Sequence, residues 1–266
     1  MYESFYSLVR QPFGKELKTS EAYRSTSVAE AEARLKYLLK TRGVALITGE
    51  PGSGKTFILR SFADTLSASL YKVVYFPLST GTVMDFYRGL AYGLGEAPRF
   101  RKVDLFHQIQ RAVQTSFKER RITPVFILDE MQMAKDIFLH DLSILFNFQM
   151  DSENPFLLIL AGLPYLSDRL SLNQNRPLRQ RVVMQYRVEP LARDEVAGYI
   201  QHHMELAGAR YPIFSETALE AIAACTMGWP RLINNLAINC LLCGCQGSKK
   251  EIDAETVRIA AEEAGL

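Results

Sequence analysis

The chain has 266 residues, 48 % hydrophobic and 23 % charged, with a formal net charge of +2. The length allows one large domain or two smaller ones, and the composition is that of a soluble globular protein. Near-neutrality argues against a strongly basic nucleic-acid binder but leaves room for a local basic patch. No stretch approaches the roughly eighteen apolar residues of a membrane-spanning helix. Met1-Tyr2-Glu3-Ser4-Phe5 lacks the basic-then-apolar order of a signal peptide. A cytoplasmic protein without a membrane partner is the expectation.

Residues 1–26 read as an irregular or short-helical lead-in, with turn chemistry at Pro12-Phe13-Gly14. Ser27-Val28-Ala29-Glu30 is a capping box. The helix it opens carries Ala31, Leu35, Leu38 and Leu39 on one face and stops at Thr41-Arg42-Gly43. Val44-Ala45-Leu46-Ile47-Thr48 then reads as a buried strand. It runs into Gly49-Glu50-Pro51-Gly52-Ser53-Gly54-Lys55-Thr56, which fits the pattern G-x-x-x-x-G-K-[ST] at every fixed position. From Thr56 to Ala63 the apolar residues fall at helical spacing. The loop therefore joins a strand to a helix N-terminus, where glycine lets backbone N–H groups curl around phosphate oxygens. Lys55 supplies a point charge to the β- and γ-phosphates and Thr56 a hydroxyl to Mg²⁺. ATP and Mg²⁺ are the expected cofactors.

Lys72 to Phe76 is a second strand, closed by Pro77, and a helix spans about 83–94. The linker Glu96-Ala97-Pro98-Arg99-Phe100-Arg101-Lys102 is basic with an aromatic inside. It is expected at the same sheet end as the phosphate loop, with Arg99, Arg101 and Lys102 as candidate DNA contacts. A helix over 104–120 and a strand over 123–128 follow, the strand ending in Asp129-Glu130. Four apolar residues and two acids form a Walker-B-like element. Asp129 is expected in the Mg²⁺ shell opposite Thr56, and Glu130 as the general base that polarises the attacking water. A helix is expected over about 137–150, a fourth strand over 155–161 and a fifth over 182–188. Alternating strands and helices imply an α/β fold, a five-stranded parallel sheet covered on both faces. Its ligands bind at the C-terminal strand ends.

Beyond Glu189-Pro190 only helical patterns remain, at about 193–207, 215–227, 230–245 and 253–264. The expected division is an α/β nucleotide domain over 1–188 and a small helical domain over 189–266. Cys240-x-x-Cys243-x-Cys245 has no His nearby in sequence, and with Cys225 it reads as small apolar residues on a buried helix rather than a metal site. Between Asp168 and Glu189 lie Arg169, Arg176, Arg179, Arg181 and Arg187 with no acid among them, a bias that calls for anions or a partner's acids. Arg231, in Gly228-Trp229-Pro230-Arg231, opens a helix where the dipole prefers anions, which a nearby γ-phosphate would explain.

The order of elements resembles an AAA+ ATPase, and more narrowly the bacterial family that includes the secretion ATPase ExeA and the transposition ATPases of the TnsC/TniB type. The resemblance covers nearly the whole chain. Phe5-Tyr6-x-Leu8 with Pro12-Phe13 is similar to the family's signature near the adenine. Leu178-Arg179-Gln180-Arg181 resembles the segment with the arginine finger, which implies Arg181. Gly228-Trp229-Pro230-Arg231-Leu232-Ile233-Asn234-Asn235 resembles the lid motif, which implies Arg231 as sensor 2. Family members often carry a polar sensor 1 after the fourth strand; here Gly162-Leu163-Pro164 offers Leu163, which suits slow hydrolysis.

The resemblance implies a regulator of DNA transposition. It would assemble with ATP as a homo-oligomeric ring or helical filament on double-stranded DNA and recruit a DDE-type transposase. The alternative is a secretion, envelope-assembly or signalling ATPase without DNA binding. The secretion relatives typically add a membrane span and an envelope-binding domain, neither seen in this sequence.

Overall fold

The computed structural model describes residues 2–14, 16–77 and 82–266. The apolar runs become five parallel strands: β1 Gly43–Gly49, β2 Tyr71–Pro77, β3 Thr123–Asp129, β4 Leu157–Gly162 and β5 Val182–Val188. Their order across the sheet is β2-β3-β4-β1-β5. The inner strands β1 and β4 are buried at every residue, whereas the edge strands β2 and β5 are buried only in part. That is the pattern of a sheet covered on both faces. The register aligns Val44 with Val182 at one end of β1 and Gly49 with Val188 at the other. The segments after β1, β3 and β4 therefore emerge at the same end of the sheet.

The helices are α1 Tyr2–Phe5, α2 Thr26–Thr41, α3 Lys55–Thr65, α4 Val83–Gly93, α5 Lys102–Lys118, α6 Asp136–Leu145, α7 Tyr165–Ser171, α8 Arg176–Arg179, α9 Arg193–Leu206, α10 Glu216–Thr226, α11 Pro230–Gln246 and α12 Ala254–Ala264. One sheet face turns Val44, Leu46, Phe126, Leu128, Leu158 and Leu160 into a single core with residues of α4, α5, α6 and α7. The alternate residues Ala45, Ile47, Val125, Ile127, Ile159 and Ala161 are equally buried and point the other way. On α2 and α3, Leu35, Leu38, Ile58, Leu59 and Phe62 are buried too. Arg34 of α2 reaches the Gln185 carbonyl of β5 at 2.9 Å.

Two local expectations are corrected. The helix expected over 137–150 stops at Leu145. Phe146 and Phe148, two residues apart, are both buried, with Phe156 4.8 Å from the first ring and 5.5 Å from the second. A helix cannot aim residues i and i+2 at one partner, so the chain opens there. Gln149, Met150 and Asp151 follow in left-handed conformation. The basic linker, in turn, begins at the end of the sheet opposite the phosphate loop. Lys72, the second residue of β2, donates to the Leu94 carbonyl at 2.7 Å, because α4 runs back against β2. The linker then lies along α5, where Gln108 Nε2 donates to Ala97 O at 2.8 Å and Gln108 Oε1 accepts from Arg99 N at 3.2 Å.

The chain forms two compact units, one of Glu30–Pro51 and Lys55–Val188, the other of Met1–Ala29, Gly52–Gly54 and Glu189–Leu266. Residues 1–26, expected with the α/β domain, thus belong to the helical unit. The reason is apolar: Tyr2, Tyr6, Leu8 and Phe13 are buried in one core with α9, α10, α11 and α12. Tyr6 also donates to the Lys249 carbonyl at 2.9 Å. Within this unit Ser215 caps α10, Asp253 caps α12 and Pro230 opens α11. Gly228 has φ +79°, and a Cβ there would lie 2.1 Å from the Leu191 carbonyl oxygen. Only glycine fits both demands.

Candidate active site

The loop leaving β1 is built around two left-handed glycines, Gly52 at φ +82° and Gly54 at φ +93°. Around Gly54 a Cβ would meet nothing within 4 Å, so the backbone there faces open space. Ser53 Oγ is buried and has no hydrogen-bond partner among the described residues. Buried polar atoms are normally satisfied, so an orphaned hydroxyl in a glycine-rich cradle fits an oxygen-rich anion. Lys55, buried at the start of α3, donates to the carbonyls of Gly49 at 2.8 Å and Glu50 at 3.0 Å. Its charge is thereby held against the loop. Pro51 stands exposed at the loop's turn, and Glu50 pairs with Arg187 at 3.6 Å.

At the end of β3, Asp129 is 1 % exposed. Its Oδ2 accepts from the Thr56 hydroxyl at 2.8 Å and from Tyr75 at 3.4 Å, while its Oδ1 accepts from the Glu130 N–H at 2.9 Å. Thr56 and Asp129 thus form a pair of hard oxygen donors suited to Mg²⁺. Glu130 sits at φ +58°, and that left-handed turn leaves its carboxylate exposed. The carboxylate is held by Gln132 Nε2. Gln132 Oε1 in turn accepts from the Leu163 N–H at 3.2 Å. Burial, then the Asp129 and Glu130 carboxylates, pushes the Tyr75 phenol above its ordinary value.

Tyr75 and Gln132 are not visible as site residues in the sequence. Gln132 stands two positions after Glu130, and Tyr75 lies two before the end of its strand. Both signals mean something only once strand order is known.

Arg231, Pro12 and Phe13 lie in the helical unit. Gly52 groups with the same unit: the Arg231 N–H donates to Gly52 O at 3.3 Å, and a Cβ on Gly52 would stand 2.6 Å from Arg231 Cβ. Pro12 and Phe13 are buried. The Phe13 ring stacks on His203, centroids 5.1 Å apart, and is committed to that core contact.

Over residues 37–170, from the end of α2 through α7, the sequence matches the family described as AAA domain. The chain belongs to that family. It is 28 % identical to general secretion pathway protein A of Aeromonas hydrophila, over all of this chain and 49 % of that protein. The chain thus spans about half the length of that relative. Its fold is similar to that of Cdc6p from Pyrobaculum aerophilum, with a TM-score of 0.71 at 18 % identity over 98 % of this chain and 70 % of that one. It is also similar to the ORC1 protein of Aeropyrum pernix, solved in complex with DNA, with a TM-score of 0.64 at 14 % identity over 98 % and 69 %.

In this AAA-domain chain the arginine segment sits apart from the phosphate loop. Arg181 directly precedes β5, whereas the loop leaves β1 beside the far end of β5. At about 3.3 Å per residue, the seven residues of β5 separate them by roughly 20 Å. Arg181 is tied to the Ser143 carbonyl at 2.5 Å and to Asp151 at 3.0 Å. Arg179 is exposed and reaches Ser171, and Arg169 pairs with Asp136 at 2.7 Å.

Of the three candidate DNA contacts, Lys102 is occupied by Asp141 at 2.7 and 2.8 Å. The side chains of Arg99 and Arg101 make no ion pair among the described residues, and Phe100 between them is 90 % exposed. The cysteines lie in the helical unit, but the expectation of buried residues on one helix holds for Cys240 alone: Cys225 is exposed on α10, Cys243 and Cys245 are half-buried on α11, and burial pushes the Cys240 thiol up to about 12. Among the described residues no helix is long and apolar enough to cross a membrane.

Proposed function

We propose that this AAA-domain chain hydrolyses ATP, that a neighbouring copy completes its site, and that it acts on duplex DNA as a regulator of transposition. The observation that carries the ATPase reading is the Thr56–Asp129 contact at 2.8 Å beside the Lys55 loop. The loop and Lys55 bind the phosphates, and Thr56 and Asp129 would hold Mg²⁺, which neutralises phosphate charge when bound. Glu130 takes a proton from water as the water oxygen bonds to the γ-phosphorus. The bond from that phosphorus to the bridging oxygen breaks, giving ADP and phosphate, and the proton passes from Glu130 to solvent. Arg231 serves as sensor 2, while Pro12 and Phe13 contribute through the backbone they shape rather than through an exposed ring.

The distance from Arg181 to its own phosphate loop supports a finger that acts on the next copy, in a ring or filament. Exposed Arg99 and Arg101 support duplex contact through phosphate charge. The assembly then recruits a DDE-type transposase.

Similarity to general secretion pathway protein A favours a second reading, a secretion ATPase without DNA binding. Two measurements test the proposal. Lys55→Ala should abolish nucleotide binding, and Glu130→Gln should keep binding but stop turnover. Duplex binding, measured by fluorescence anisotropy with and without a non-hydrolysable ATP analogue, separates the clients. Binding that requires the analogue supports the DNA reading, and none under assembling conditions selects the secretion reading.

A further inference from the structure

At the end of β4, where AAA+ relatives often place a polar side chain, this chain has Gly162-Leu163-Pro164. The polar group comes instead from the next strand. Gln132 lies in the short turn Met131–Met133 that follows β3, with Met131 fully buried beneath it. Its amide spans the gap between two strand ends. A backbone N–H can only donate, so the Leu163 N–H at 3.2 Å fixes Oε1 on that side. The amide NH₂ is left for the Glu130 carboxylate, to which it donates.

The space for this bridge is built in. A Cβ on Gly162 would lie 2.9 Å from Gln132 Oε1 and 3.2 Å from Gln132 N, so glycine there lets the amide cross the end of β4. The backbone of Gln132 is fixed as well. Its carbonyl accepts from the Tyr165 hydroxyl at 3.1 Å and from Arg169 Nη1 at 3.2 Å, and Arg169 is anchored on Asp136 at 2.7 Å. Asp129 fixes the other side, accepting from the Glu130 N–H at 2.9 Å.

We infer that Gln132 is the positioning residue of this ATPase: by bridging Leu163 N–H to the Glu130 carboxylate it aims that base at the attacking water. The inference rests on Glu130 being the general base. Aiming a base matters only once substrate is bound, so the effect falls on kcat rather than on KM.

The test uses Gln132→Ala and Gln132→Met, the second keeping the volume without the amide, beside Glu130→Gln. Two readouts are needed: hydrogen exchange of the Leu163 amide by NMR in nucleotide-free protein, and steady-state ATP hydrolysis. Both Gln132 variants should speed Leu163 exchange at least about tenfold and lower kcat about 10- to 100-fold, with KM for ATP within about twofold. Unchanged Leu163 exchange overturns the bridge. Unchanged kcat, or a raised KM with kcat intact, overturns the positioning role if Glu130→Gln is inactive. If Glu130→Gln turns over ATP at the wild-type rate, the assignment of the base has failed and the role of Gln132 falls with it, whereas the exchange data still report whether the bridge exists.

Discussion

The Thr56 hydroxyl and Asp129 Oδ2 meet at 2.8 Å, joining the start of α3 to the end of β3 across 73 positions of sequence. That contact brings two oxygen donors together at the mouth of the phosphate loop. Asp129→Asn keeps the shape and removes the charge. It should lower affinity for ATP at least about tenfold with Mg²⁺ present and little without it, since the lost interaction is with a hard cation. Calorimetric titration in Mg²⁺ and in EDTA checks this; equal losses in both would place Asp129 outside the metal's reach.

Arg181 and Glu130 should complement each other between copies. Arg181→Ala and Glu130→Gln proteins, each inactive alone, should regain turnover when mixed, because some interfaces pair an intact base with an intact arginine. Such fingers contribute about 10³- to 10⁵-fold where turnover is fast, and less in a slow site. Mixed oligomers, verified by mass, that stay inactive would confine Arg181 to its own subunit, where Asp151 and Ser143 already hold it.

The basic linker predicts a split between neighbouring cations. Arg99→Ala with Arg101→Ala should weaken ATP-dependent duplex binding and flatten its salt dependence, leaving ATP affinity unchanged. Lys102→Ala should leave DNA binding nearly unchanged. It should instead cost about 1–3 kcal/mol of stability, because Asp141, 8 % exposed, loses its partner. Anisotropy over a salt series and urea unfolding read the two effects separately.

His203 gives the helical unit an acid limit. Burial, then neighbouring His202 and Arg10, lowers its pKa from 6.5 to about 4. The folded unit therefore keeps His203 neutral while the unfolded chain takes up a proton below 6.5. Stability is full above that value and falls as the pH drops towards 4. At about 1.4 kcal/mol for each pH unit between the two values, the loss is on the order of 3 kcal/mol. His203→Leu should flatten the profile, read as urea midpoints at pH 7.5 and pH 5. A wild-type midpoint that does not fall between them would refute the assignment.

The places of the 49–56 loop after β1 and of Asp129 and Glu130 at the end of β3 were legible because each pattern is fixed within one segment. Their strands were legible because buried parallel strands are continuous apolar runs. Gln132 was not, since its role depends on β3 lying beside β4, and spacing does not encode strand order. The first 26 residues lacked a repeating pattern, so Tyr2, Tyr6 and Phe13 gave no hint that they belong to the C-terminal helices. The early stop of α6 turns on Phe146 and Phe148 sharing one aromatic neighbour, Phe156, ten and eight positions ahead.

The placement of Arg181 at one end of β5 and the phosphate loop beside the other makes the proposed active unit directional. If each copy gives its arginine to one neighbour and its loop to another, the contact is head-to-tail. A pair of copies would hold one complete site and leave two faces open. A chain of copies would hold one site fewer than its members, and only closure makes the numbers equal. Turnover per copy would then measure how long the chains are, and capping one open end would prevent closure and withhold the last site while leaving the others intact.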